Sequence, residues 1–233
     1  MTDDFFLHHC GRNSALGICL VSRIFRRKTG FFSTAALAAL SLGVAQARPS
    51  VTSQPWGTTP DGKAVKIVTL KNDHGLVTRV ITYGGIIQSV ETPDRNGHLQ
   101  DVVLGFGKLD GYTVDSAQGG LFFGAIIGRY ANRLAAGNFP VDGKTYHTDV
   151  TAPPNALHGG KRGFDKNVWT LEKTGTNSGG AFVTLKLVSP NGDQGFPGTL
   201  TPHVTYTLGN DDALSLHYVA TTDAPTGLHL TNH

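Results

Sequence analysis

Cysteine is all but missing from this 233-residue chain. Its two cysteines, Cys10 and Cys19, lie near the start, so the remainder has no thiol with which to build a disulfide framework or a cysteine metal site. Beyond residue 47 no segment sustains an apolar period of 3.6 residues, which excludes a framework of long amphipathic helices. Fixed-period repeats and low-complexity tracts are absent too. Nor does one sign of charge dominate the body. The formal net charge is +3, but residues 1–47 hold five basic and two acidic side chains, leaving 15 of each in 48–233. A body without net charge has no long-range field to gather phosphates, which argues against nucleic acid and suits a neutral small molecule.

What is plentiful points to strands. The sequence has 30 Gly and 11 Pro spread along it, the mark of many short elements joined by tight turns, and 39% hydrophobic residues can bury the core of one large domain. Strands are predicted at 63–70, 76–83 and 86–91, with Gly84-Gly85 interrupting the pattern and Thr92 to Gly97 forming a dense turn signal. Asp142-Gly143 joins 138–141 to 144–148 as a two-residue hairpin turn. Further strands are expected at 168–173, 181–188, 200–208 and 213–220, and Leu214, Leu216, Tyr218 and Ala220 mark one apolar face of the last. The stretch from Arg48 to Pro60 reads as a polar lead-in. Many short strands with turns between them give an all-β fold, a sandwich or a barrel, and periodicity does not choose between the two.

Residues 1–47 read as a leader ahead of one domain at 48–233. Arg23, Arg26, Arg27 and Lys28 precede an apolar run from Phe31 to Val44, and Ala45-Gln46-Ala47 has the form of a cleavage site. The run is short for a bilayer span, which needs about 20 residues. The expectation is a secretory signal cut after Ala47, a periplasmic or secreted product, and no stable membrane association thereafter.

Three polar clusters sit in glycine-rich surroundings: 128–133, 155–169 and 230–233. Sugar hydroxyls both donate and accept, so a sugar site draws Asn, Arg, His and carboxylates from several loops, with an aromatic face alongside. Taken singly, each residue has a plainer explanation. Arg129 and Arg133 could be surface or ion-paired arginines, Asn132 could shape a turn, His158 could bond to backbone, and Trp169 could be core. His233 could be a frayed end. In order, however, GRYANR, NALHGGKRGFDKNVW, GDQGFPGTL, VTYTL and ATTDAPTGLHLTNH resemble the aldose 1-epimerase (galactose mutarotase) family from about Gly57 onward.

That resemblance implies a large antiparallel β-sandwich with the sugar in an open cleft, and it chooses the sandwich over the barrel. It implies that Asn132, Arg133 and His158 bind the sugar and that His233, matching the histidine of the TNH motif, is catalytic, with His158 beside it. Relatives usually carry Asn where this sequence has His229. Interconverting the α and β anomers of a free aldohexose opens the hemiacetal, turns about C1–C2 and closes it again. One group takes the C1 hydroxyl proton while another protonates the ring oxygen. Histidine, with an ordinary pKa near ~6.5, suits the second role, and the chemistry calls for no metal or organic cofactor. The resemblance also implies a sugar-binding Asp and a Glu base beyond the TNH motif. This sequence stops at His233, so the expectation is a partial sandwich with open edges that lacks the base. Asp165, Asp193 and Asp223 do not match its motif. Alternatives are a carbohydrate-binding sandwich without turnover, an epimerase of phosphorylated hexoses and an inert fragment.

Overall fold

The computed structural model describes residues 48–115 and 120–233. The expected leader, its cleavage site after Ala47 and both cysteines lie outside the described residues. Fifteen strands are described, all paired antiparallel with their neighbours.

The first sheet is a five-stranded meander in chain order. It runs β1 (Ser50–Thr58), β2 (Ala64–Lys71), β3 (Val77–Ile81), β4 (Ile87–Pro93) and β5 (Leu99–Asp101). The second is a four-stranded meander of β11 (Thr170–Asn177), β12 (Gly180–Lys186), β13 (Leu200–Gly209) and β14 (Leu214–Thr222). Alternation dictates how they meet. Leu200, Val204, Tyr206 and Leu208 of β13 and Ala181, Val183 and Leu185 of β12 all point inward, where Val68, Leu70 and Val80 of the first sheet meet them. Each buried Val and Leu among them contributes about 1.5–3 kcal/mol by leaving water. Strand β2 buries both faces, since Val65 and Ile67 join a second cluster with Ile81, Tyr83, Tyr112 and Ile127 on the opposite side of the sheet.

That second cluster sits under a layer of short strands. In it β6 (Ile126–Ile127) pairs with β15 (Thr231–Asn232), β7 (Arg133–Ala135) pairs with β10 (Asn155–Leu157), and β8 (Asn138–Val141) pairs with β9 (Lys144–His147). Asp142 and Gly143 both take positive φ, 48° and 74°, so the expected two-residue turn is present. At 94–97 the Asp94 carboxylate accepts the backbone N–H groups of Asn96 and His98.

The lead-in at 48–60 is corrected: it is strand β1, not a loop. Its sequence hides this because Pro55 and Gly57 interrupt it at a bulge and only Val51 and Trp56 are half-buried. Proline is tolerated on such an edge strand because no neighbour needs its N–H. At the other edge, Leu214, Leu216, Tyr218 and Ala220 do form the inward face of β14, yet they are only half-buried.

Candidate functional site

The site is assembled by strand ends. Leu157 pairs with Arg133, so continuing one residue brings His158 opposite Asn132. There the His158 N–H donates to the Asn132 carbonyl at 3.0 Å, and the Asn132 N–H donates to His158 Nδ1 at 3.1 Å. The second bond makes Nδ1 an acceptor, so a neutral His158 carries its proton on Nε2. Both residues have positive φ, 65° and 52°, which swings their side chains out of the pleat. Arg133 Nη1 donates to Asn132 Oδ1 at 3.2 Å. The glycines after His158 are needed for packing. A Cβ at Gly159, where φ is +85°, would clash with the Gly128 carbonyl oxygen.

His233 arrives from another part of the layer, directly after β15. Its N–H donates to the Ala125 carbonyl at 2.9 Å and its carbonyl accepts the Gly124 N–H at 2.8 Å, while Asn232 Nδ2 donates to the Gly124 carbonyl at 2.6 Å. Far from fraying, this residue is tied to backbone on both sides. The His158 and His233 rings stand edge to face with centroids 5.2 Å apart. Phe122 packs against both, at 4.7 and 5.5 Å. Asn132, Arg133, His158 and His233, four residues drawn from three clusters far apart in sequence, therefore meet at one place.

A cleft of about 310 Å³ opens beside them, lined by Tyr83, Tyr112, Phe122, Leu157, Asp165 and Lys166 among others. Burial lowers the His158 pKa from 6.5 to about 4, and the positive charges of His233, Arg133 and Lys166 push the same way. Burial raises the Asp165 carboxyl, which Lys166 opposes from 2.5 Å. Burial also raises the Tyr83 phenol to about 12, with Asp165 adding to the shift. Among the described residues, no three His, Cys, Asp or Glu side chains gather into a group that could hold a metal ion.

The remaining sequence candidates separate clearly. Trp169 is core, packed edge to face on Phe164 with its indole N–H donating to the Phe164 carbonyl. Arg129 is neither a surface nor a cleft residue. It is 2% exposed and donates five hydrogen bonds, to Ser189 Oγ and the carbonyls of Ser189, Pro190 and Pro197, and to Thr226 Oγ1. Five bonds match the five N–H groups of a guanidinium. Burial lowers its pKa against the opposing charges of Asp193 and Asp223. Asp193 in turn accepts the Ser189 hydroxyl, and Asp223 accepts the Thr199 N–H at 2.6 Å. Those two carboxylates belong to the scaffold that holds Arg129. His229 Nδ1 lies 3.2 Å from the Ala131 carbonyl, and His229 exchanges backbone bonds with Arg129 and Ala131, so the exceptional residue leaves the local pairing intact. Phe122 was not singled out by sequence; an aromatic pair, Phe122-Phe123, between glycines in a loop was the available signal.

The family model described as Aldose 1-epimerase matches residues 66–233. A galactose mutarotase of Rattus norvegicus is 43% identical over 185 residues, 79% of this chain and 51% of that protein. An aldose 1-epimerase of Escherichia coli strain K12 is 37% identical over 174 residues, 75% of this chain and 48% of that protein. A galactose 1-epimerase from Lactobacillus acidophilus NCFM has a similar structure, with a TM-score of 0.68 and 26% identity, covering 79% of this chain and 52% of that one. The chain spans about half the length of the relatives it matches. With the sandwich, the sequence match and the order of motifs in agreement, the chain belongs to the aldose 1-epimerase family.

Proposed function

We propose that this chain carries the sugar-binding and acid half of an aldose 1-epimerase site, acting on a free aldohexose such as glucose or galactose. The observation that carries the reading is the pair of histidine rings 5.2 Å apart on Phe122, beside Asn132 and Arg133. His233 gives a proton to the ring oxygen as the hemiacetal opens and recovers it on closure. His158, a neutral Nε2–H donor, and the Arg133 guanidinium stabilise the charge that develops on the sugar oxygens. The Asn132 amide holds a hydroxyl, and Phe122 offers an apolar face to the C–H side of the ring. The group that takes the C1 proton is not assigned to a residue of this chain: Asp165 is paired with Lys166, and Asp193 and Asp223 serve the Arg129 network.

A neutral sugar fits better than a phosphorylated one. Lys161, Arg162 and Lys166 along the neighbouring wall are each paired with a carboxylate, those of Asp149, Asp61 and Asp165. The proposal includes export, supported by the basic and apolar segments and the small-residue triplet that end at Ala47. A secreted product whose first residue is Arg48 agrees with it, and a cytoplasmic product that retains residues 23–47 contradicts it.

Polarimetry on freshly dissolved α-D-glucose and α-D-galactose tests the activity. The chain should speed relaxation above the buffer rate, and His233→Asn should remove the gain. Relaxation at the buffer rate with sugar binding by calorimetry would convert the proposal into a carbohydrate-binding sandwich. Neither turnover nor binding would identify an inert fragment.

A further inference from the structure

Asn232 takes no part in the steps above, yet its side chain is committed. Its Nδ2 donates to the Gly124 carbonyl at 2.6 Å, and since a carbonyl only accepts, the amide can face it only through an N–H. That same carbonyl accepts the N–H of Ile87, the first residue of β4, at 2.9 Å. A single oxygen thus ties the residue before His233 to the five-stranded sheet.

The backbone opposite His233 gives this bond its weight. The Gly124 N–H donates to the His233 carbonyl, whereas the His233 N–H donates to the carbonyl of the next residue, Ala125. Two residues therefore face one, and the first has a φ of 66°, which is a β-bulge of the kind that begins on a left-handed glycine. The bulge is fused to a tight turn. The Ala125 N–H donates to the Phe122 carbonyl at 3.1 Å, closing a four-residue turn in which Gly124 stands third, where a type II turn needs positive φ. Phe122 opens the turn and His233 faces the bulge, so one backbone device carries both rings, with centroids 5.5 Å apart. Glycine is required at its centre, because a Cβ on Gly124 would lie 2.3 Å from the Ile87 carbonyl oxygen.

We infer that Asn232 is a positioning residue: by clamping the Gly124 carbonyl it holds the turn and bulge in the form that sets the His233 ring against Phe122. The assignment rests on the aldose 1-epimerase reading for its chemical purpose, a correctly aimed His233, but the ring arrangement is measurable without sugar. Imidazole NMR of the whole chain, with the His233 signals identified by their loss in His233→Gln, reads the ring-current shifts that Phe122 and His158 impose on His233. Asn232→Asp keeps the size of the side chain, and its ionised carboxylate has no donor for the Gly124 carbonyl. The His233 C–H signals should move toward those of an unstacked histidine at both ends of the pH titration, which separates stacking from charge. If the Asp variant does not fold, Asn232→Ala carries the same expectation. In polarimetry, kcat should fall about a hundredfold with KM close to the parent value, because the acid is misplaced while Asn132, Arg133 and His158 still bind the sugar. Unchanged His233 shifts in a folded Asn232→Asp or Asn232→Ala chain overturn the assignment, and so does a loss confined to KM. Failure of both variants to fold overturns it too, since Asn232 would then hold the fold and not the ring pair. Failure of the parent chain to accelerate relaxation counts instead against the enzyme reading and leaves the shift experiment standing, so the two failures are distinguishable.

Discussion

The core between the two meanders and the layer that carries the histidines are stabilised in opposite ways. The core spreads its energy over many apolar side chains on strands of five to ten residues, each carrying only a share of the total. The site layer has strands of two to four residues, left-handed backbone at Asn132 and His158, and a single buried guanidinium that holds three separate carbonyl groups. A distributed network degrades gradually under mutation; a concentrated one fails at a few positions.

Substitutions can break that contrast. Arg129→Leu should have the largest effect, about 3–5 kcal/mol in urea unfolding, because it leaves several buried acceptors without a donor. A loss under 1 kcal/mol would show that the site layer does not depend on one residue. Leu185→Ala in the core should cost about 3 kcal/mol as a cavity, while the His158 titration midpoint stays put. Movement of that midpoint would mean the two regions are coupled. Next comes Gly159→Ala, at about 2 kcal/mol, since the new Cβ strains a positive φ and presses on Gly128; sugar binding should fall with it. Gly143→Ala, in an open hairpin turn with nothing near the added carbon, should cost only about 1 kcal/mol and leave binding unchanged.

The remaining effect concerns pH. The folded His158 pKa, about 4, lies below the ordinary 6.5, so between these values the unfolded chain binds more protons. Stability should therefore rise with pH across that window and be lost as pH falls toward 4. His158→Gln should flatten this part of the pH–stability curve, and an equally steep curve in the variant would show that another group causes the slope.

The same contrast explains what could be read in advance. Strands β2, β3, β4, β12, β13 and β14 were visible because alternation of Val, Leu, Ile and Tyr with polar residues is a direct consequence of one buried face. Strand β1 was invisible because an edge strand with Pro55 and Gly57 is held by backbone pairing, which leaves no pattern in side-chain polarity. Strands β6, β7, β10 and β15 are too short to show a period at all. Within the segment 128–133, sequence could not separate the scaffold role of Arg129 from the exposed position of Arg133, because both are arginines in the same motif and only their surroundings differ.

Composition and order of residues alone determined an all-β chain with a neutral body, the two-residue turn at Asp142-Gly143 and the set of polar clusters worth inspecting, because periodicity, charge and turn chemistry are local properties. Tertiary structure decided that His158 and His233 share the Phe122 ring, that Arg129 is buried with every N–H used, and that the Lys166 ammonium lies over that same ring against Asp165. Those facts depend on which strand ends pair across 75 residues of chain from His158 to His233, and no short window of sequence contains that distance.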